Sequence, residues 1–419
     1  MRCELVSLHG GDPAALAADL RALVPGADEV APAVAEIIER VRVHGDEAVL
    51  AYTRMLDTAG REPRPLRVAA TELADAAERL DPGVRRGLEL AIANVNRVAE
   101  NQRPQDTVVD LGTHSVKLRE VPLRSAAVYV PGGRAPYPST VVMGAVTARA
   151  AGIAEVVVCS PPGRDGELDQ VVLAAAGLTG ASAVYRMGGA QAVAALAHGT
   201  ESVPAVEVIV GPGNLYVQEA KRQVSTHVGI DGFAGPSDLV VIAGDEADPD
   251  LIELDLVAQA EHGEGTLVLA ISTRHALLTE LHARLVHAPD SGAVARLVEV
   301  NNGTDALALA EALAPEHLEL IGEDAEALAA RVTRAGCLFV GAASATAFGD
   351  YVAGSNHILP TAGSARFASA LSPAAFRRRF YEVTVRTPEA LAEAAAPLAR
   401  AEGFEVHARS MEVRIRDND

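Results

Sequence analysis

GPSDLVVIAGDEADPDLIELDLVAQAEHG, from Gly235 to Gly263, reads as strand, turn and helix. LVVIA is a short β-branched run; Asp248 stands where a helix N-cap belongs, Pro249 at the first helical position and Gly263 just past the last turn. On that helix Gln259 and His262 are three residues apart, so both project from one face of the last turn, with Asp255 one turn below. Two metal-capable side chains at helical spacing are half of a site. By themselves they more often describe a solvated face with a cation near the negative end of the helix dipole.

The same alternation runs upstream. AAVYV leads into PGGRAPYPS, VVVC into SPPG, AVYRM into GGAQA and VEVIV into GPGN, each followed by an Ala-rich helical stretch. Strands alternating with helices predict parallel sheets covered on both faces, with ligands at the carboxyl ends of the strands. The turns carrying Gly132, Gly133, Gly188, Gly189, Gly211 and Gly213 are where a ligand could approach backbone, although none of them contains GxGxxG. Residues 1 to about 110 are mostly helical in pattern: Val34, Ile37, Ile38 and Val41 form a stripe that stops at Gly45, and Asp81-Pro82 opens a helix carrying Leu88, Ile92 and Val95.

Downstream, GTLVLAIST and LVEVN read as strands. In LAPEHLELIG, Pro315 pushes Ala314 out of helical geometry and sets the Glu316-His317 pair at the entry to an apolar run. CLFVG is a further strand, and the Gly-, Ser- and Pro-rich stretch after it, read as a loop, holds Asp350 and His357. Thr387-Pro388 opens a tail helix that Pro397 should kink or divide, and His407 falls in a last short helix. Cys159 ends the strand VVVC with no His or Arg beside it in sequence, so a structural thiol is expected there more than a nucleophile.

At 419 residues the chain calls for two or three domains. Apolar residues at 49% and charged residues at 22% supply a core and exclude wholesale disorder, and with no Trp and 3% aromatics that core must be aliphatic. A net charge of −20 argues against nucleic acid or an anionic membrane as partner. Three scattered cysteines in no CxxC spacing imply neither a disulfide framework nor a thiolate zinc site, and no apolar run reaches spanning length. A cytoplasmic protein is the expectation.

Five stretches, YVPGGRAPYPSTVVM, GPGNLYVQEAKRQV, GPSDLVV with DLVAQAEH, APEHLEL with GDYVAGSNHILPT, and EGFEVHARS, together resemble the histidinol dehydrogenase family, in the family's order and over about residues 30 to 415. The resemblance implies an α/β fold of two incomplete Rossmann-like parallel-sheet domains in an aldehyde-dehydrogenase-like arrangement, with a helical N-terminal segment and a helical C-terminal tail exchanged within a homodimer. The boundaries expected are 1–25 for the N-terminal segment, 26–125 plus 238–371 for one discontinuous domain, 126–237 for the other, and 372–419 for the tail. It implies one Zn²⁺ on Gln259, His262, Asp350 and His407. It further implies catalysis by Glu316 and His317, substrate contacts from Ser237, Gln259, His262, His317, Asp350, His357, Glu402 and His407, and NAD contacts from Tyr129, Gln191 and Asn214, with Glu402 and His407 reaching the partner's site. The activity implied is oxidation of L-histidinol to L-histidine through a retained aldehyde; a paralogue acting on another polar amino alcohol or a sulfonated diol is the alternative. Asp238 stands where the family often has Glu.

Overall fold

The structure, a computed structural model, describes residues 1–24, 30–133, 135–232 and 235–415. It divides into two compact units, Met1–Gln102 with Leu123–Phe376, and Arg103–Pro122 with Arg377–Asp419.

The larger unit holds two parallel sheets. In spatial order the first is Arg2–Ser7, Val294–Glu299, Leu267–Ser272, Asp238–Ala243, His317–Ile321 and Cys337–Val340. The second is Ala183–Arg186, Glu155–Ser160, Ser125–Tyr129, Val208–Val210 and Gly229–Ile230. Numbered locally from Asp238–Ala243 and from Ser125–Tyr129, both sheets contain the order 3-2-1-4-5; the second stops there, one strand short of the six-stranded dinucleotide-binding order, and the first adds Arg2–Ser7 beside its third strand. The expected fold class is borne out. Alternation along each strand feeds two cores: Val240 and Ile242 point to one face, and Leu239, Val241 and Ala243 to the other.

Several segments differ from the helical pattern read for them. The N-terminal segment opens with a strand, Arg2–Ser7, added in parallel to Val294–Glu299, before its helix Pro13–Arg21. The helices Ala31–Leu56, Ala70–Glu78 and Pro82–Gln102 pack on Gly189–His198, Gln170–Leu178 and Pro138–Ala151, so they shield the second sheet, and Pro82–Gln102 also packs with Val352, Ile358 and Leu371. Gly45 kinks a helix that resumes at once, because φ of 52° there is open to glycine and a Cβ would strike the Glu201 carboxylate, which accepts the Asp46 N–H at 2.8 Å.

The smaller unit is an antiparallel sheet, Thr107–Asp110, His114–Pro122 and Arg377–Val385, with helices Glu389–Ala401 and Glu405–Glu412. The tail expected to be helical therefore begins with a nine-residue strand. Its first helix runs through Pro397 undivided.

The turn after Val208–Val210 is braced from below. Lys221, one of two lysines in the chain, is fully buried; its ammonium pairs with Asp231 and donates to Gly211 O at 2.9 Å, while Asp231 Oδ2 accepts Gly211 N–H at 2.7 Å. Lys221→Met would leave the Asp231 carboxylate without its cation. The expected loss is about 3–5 kcal/mol, read as a fall in the urea midpoint.

Candidate active site

The centre forms at the amino ends of two neighbouring strands of the first sheet. Ser237 and Asp238 open one strand, and Glu316 and His317 open the next. Asp238 N–H donates to Glu316 Oε2 at 3.2 Å, and Glu316 N–H donates to Asp238 Oδ1 at 2.8 Å, so each carboxylate is held by the other residue's backbone. Arg21 ion-pairs with Asp238 Oδ2 at 2.6 Å and donates to Leu313 O at 2.7 Å. Ahead of this staple Ala314 is left-handed, at φ 45° and ψ 66°, which ends the helix Gly303–Leu313 where the proline rule requires.

Hydrogen bonds then run outward from Glu316. Ser237 Oγ donates to Glu316 Oε2 at 2.5 Å and accepts from Gln259 Nε2 at 2.5 Å. This orientation commits the Gln259 amide nitrogen and leaves its oxygen as the metal-competent atom. Gln259 lies in the last turn of Pro249–Ala260, whose N-cap is Asp248 as expected. His262 falls just past the helix end, not within its last turn; its Nδ1 lies 3.0 Å from Gln259 O, which fixes Nδ1–H as donor and Nε2 as the free-electron-pair nitrogen.

Asp350 is on the short helix Thr346–Tyr351 and not in a loop, and its backbone carbonyl accepts His357 Nδ1–H at 2.9 Å. His357 Nε2 in turn meets Thr140 Oγ1 at 3.3 Å, on the helix that opens the second sheet's first crossover. His317 is buried, with Nε2 3.6 Å from Asp350 Oδ1, Nδ1 4.0 Å from Glu316 Oε2 and the Phe339 ring 6.0 Å away.

Burial pushes the Glu316 carboxyl up to about 7, against the pull of His317. Burial would depress His317, but the charges of Glu316 and Asp350 outweigh it and raise the imidazole to about 9. At Asp350 burial is outweighed by His317, with His357 and His262 behind it, which hold that carboxyl below its usual range. His357 is lowered by burial.

The donor chemistry fits a divalent cation: an amide oxygen, an imidazole whose Nδ1–H bond leaves the electron pair on Nε2, and an ionised carboxylate facing imidazoles. Among the described residues no three of His, Cys, Asp and Glu gather closely enough to hold a metal by themselves.

The second sheet offers a different pocket chemistry at its carboxyl edge. Tyr129 ends the first strand, and its hydroxyl accepts Gly189 N–H at 3.0 Å at the start of Gly189–His198. Gln191, in that helix's first turn, is 1% exposed with neither amide atom bonded to protein. A buried carboxamide without partners costs free energy unless a ligand completes it. Asn214 caps Leu215–Val224, its side-chain oxygen accepting Val217 N–H at 3.2 Å. Tyr129 and Asn214 follow adjacent strands where the strand order reverses, and helix N-termini there suit an anionic dinucleotide. Cys159 is fully buried with its thiol pushed up by burial, which makes it inert.

A profile of the family described as histidinol dehydrogenase matches residues 24–415. The histidinol dehydrogenase of Parasynechococcus marenigrum is 44% identical over 394 residues, covering 90% of each chain. That of Ruegeria pomeroyi is 42% identical over 403 residues, covering 92% of each. The crystal structure of histidinol dehydrogenase from Elizabethkingia anophelis matches with a TM-score of 0.90 at 28% identity, over 99% of this chain and 98% of that one.

The chain belongs to the histidinol dehydrogenase family. It is thus an enzyme that oxidises histidinol in histidine biosynthesis.

Of the residues that the family resemblance singled out, Ser237, Gln259, His262, Glu316, His317, Asp350 and His357 lie together at the amino edge of the first sheet. Tyr129, Gln191 and Asn214 lie at the carboxyl edge of the second. Glu402 and His407 are on the smaller unit, both exposed, with His407 beside Phe404 at a ring separation of 5.1 Å. Arg21 and Thr140 were not anticipated. Arg21 is joined to Asp238 across 217 positions, and no local pattern carries that information.

The His317 shift has a sign that can be tested on metal-free protein. An imidazole raised from 6.5 to about 9 adds stability below pH 6.5 that is lost as pH rises through about 9. Glu316 acts in the same direction, but over the window between 4.5 and about 7. Denaturant midpoints of chelator-treated protein are expected to fall from pH 7 to 9, and His317→Gln is expected to flatten that slope.

Proposed function

We propose that this site carries L-histidinol through two successive oxidations to L-histidine, with NAD as hydride acceptor and one Zn²⁺ as substrate holder. The observation that carries the reading is the buried Glu316-His317 pair, tied to Gln259 through Ser237 and to Asp350 through His317. An acid and a base are thereby placed beside the donors that would grip an amino alcohol.

His317 takes the hydroxyl proton as the first hydride leaves the carbinol carbon, giving the aldehyde. Glu316, a carboxyl poised near neutrality, accepts a proton from the water that adds to the aldehyde carbon, and the hydrate forms. Once its first proton has passed to solvent, His317 takes a hydroxyl proton from the hydrate as the second hydride leaves, and the acid results. NAD, bound at Tyr129, Gln191 and Asn214, would supply the hydride sink twice. Zinc, held by Gln259, His262 and Asp350 with His407 of a second copy, would anchor the amino alcohol as a Lewis acid, and its charge beside Asp350 would favour the neutral form of His317. Ser237, His357 and Glu402 complete the substrate contacts.

The homodimer with shared sites follows from the same reading, since His407 and Glu402 are exposed on the smaller unit. A cytoplasmic location is consistent with it, and among the described residues no helix is long and apolar enough to cross a membrane.

NADH formation with L-histidinol, measured with and without a chelator, tests the whole reading. Two NADH per substrate and loss of turnover on chelation are expected; preference for another polar amino alcohol or a sulfonated diol would overturn the substrate. Glu316→Gln is expected to slow aldehyde oxidation by about 10²-fold or more while sparing the first hydride transfer, resolved by stopped flow. His407→Asn should lower the zinc-to-chain ratio of purified dimer, and an unchanged ratio would remove His407 from the ligand set.

A further inference from the structure

Beneath the residues described above lies a second polar layer in the same three elements. His317 and Glu319 are two apart on one strand, Gln259 and Asp255 four apart on one helix, and Asp350 and Thr346 four apart on another. Two strand residues and four helix residues both advance about 6 Å, and both spacings return a side chain to the same face. Glu319, Asp255 and Thr346 thus repeat His317, Gln259 and Asp350 one step lower.

The lower layer is joined through Glu319, which is 1% exposed. Its Oε1 accepts Thr346 N–H at 2.8 Å and the Thr346 hydroxyl. Its Oε2 is buried and meets no N–H or hydroxyl donor, and the Asp255 carboxyl lies within hydrogen-bonding reach of the Glu319 side chain. Two carboxyl groups bond to each other only if one keeps a proton. Burial raises both, Glu319 to about 7, which is consistent with a retained proton. Such a group on an apolar strand costs more than a Leu would, and neither the proton transfers nor the ligand set uses it.

We propose that Glu319 is a positioning residue for the metal site: it ties the helix carrying Gln259 and the helix carrying Asp350 to the His317 strand, and so sets the separation of the zinc donors. The inference rests on the zinc reading above. Its strength lies in geometry, because one carboxyl bridges all three elements at the level directly below the donors.

The test compares Glu319→Leu, Glu319→Gln, Asp255→Ala and Asp255→Asn in the full-length protein, with zinc affinity measured by competition against a chromogenic chelator. Glu319→Leu and Asp255→Ala break the bridge and are expected to weaken zinc about 10- to 100-fold. The amide variants each supply an N–H in place of the shared proton, so Glu319→Gln and Asp255→Asn are expected to restore affinity to within about 3-fold of wild type, a small residue of that loss. The KM for NAD should stay unchanged in all four, since the cofactor turns belong to the other sheet. Asp255 is only half-buried, so Asp255→Ala decides the matter if Glu319→Leu does not fold. Wild-type affinity in the aliphatic variants, or equal losses in the amide and aliphatic variants, would overturn the role of Glu319. A wild-type protein that binds no zinc would overturn the reading beneath it.

Discussion

The reciprocal bonding of Asp238 and Glu316 is the constraint on which the catalytic centre depends. Two carboxylates at the amino ends of adjacent strands are buried, an arrangement that costs several kcal/mol per charge unless hydrogen bonds and a counter-charge answer it. Each is answered by the other's backbone N–H, and Asp238 also by Arg21. The bonds fix the register of the two strands at their open ends, where the ladder alone is weakest. Because Ser237 precedes Asp238 and His317 follows Glu316, fixing one pair fixes the other. The shorter side chain at position 238 reaches both Arg21 and Glu316 N–H, so an acid one methylene longer is not needed to complete the staple.

The two sheets share a strand order and present opposite edges. At the carboxyl edge of the second sheet the helices Gly189–His198 and Leu215–Val224 begin, and their N-terminal N–H groups carry partial positive charge suited to an anionic cofactor. At the amino edge of the first sheet the helices carrying Gln259 and Asp350 end, and their carbonyl termini carry partial negative charge. A cation with its acidic and amide donors is favoured there, and an anion is not. One chain thereby presents opposite poles of its helices at the two edges, in keeping with the proposed separation of hydride acceptor and alcohol. The Thr140–His357 contact joins the two regions.

How much of this was legible depended on the range of the interaction. Asp248 and Pro249 announce their helix, Pro315 announces the turn at Ala314, and the Gly-rich turns at 188–189 and 211–213 mark the second sheet's ligand edge, because each acts within a few residues. The general rule that ligands gather at carboxyl edges points to the turns of the second sheet, whereas the buried polar cluster of the first lies at its amino edge. There the deciding groups are helix C-termini, and their polarity is visible only once the helices are seen to return beside the strands. Arg2–Ser7 becomes a strand through its pairing with a segment almost 300 positions away, which no local pattern records. Glu319 left a faint trace, as an acid alternating into the apolar run HLELI, where a charge must be either exposed or bonded; the structure shows it buried and bonded.

The smaller unit carries its own argument for a second copy. A three-stranded antiparallel sheet with two helices has little interior, and Val108, Val109, Tyr381, Val383, Leu398, Val406 and Val413 are all exposed on it. Apolar exposure on that scale in so small a unit is characteristic of a surface that another chain covers. His407 and Glu402 lie on the same unit, as exposed as these residues, although an imidazole and a carboxylate have no need of an apolar setting to be solvated. The proposed dimer accounts for both facts at once, since burying the apolar side chains would supply the association energy and carry the polar pair into a partner's site. A monomer would leave that apolar surface in water.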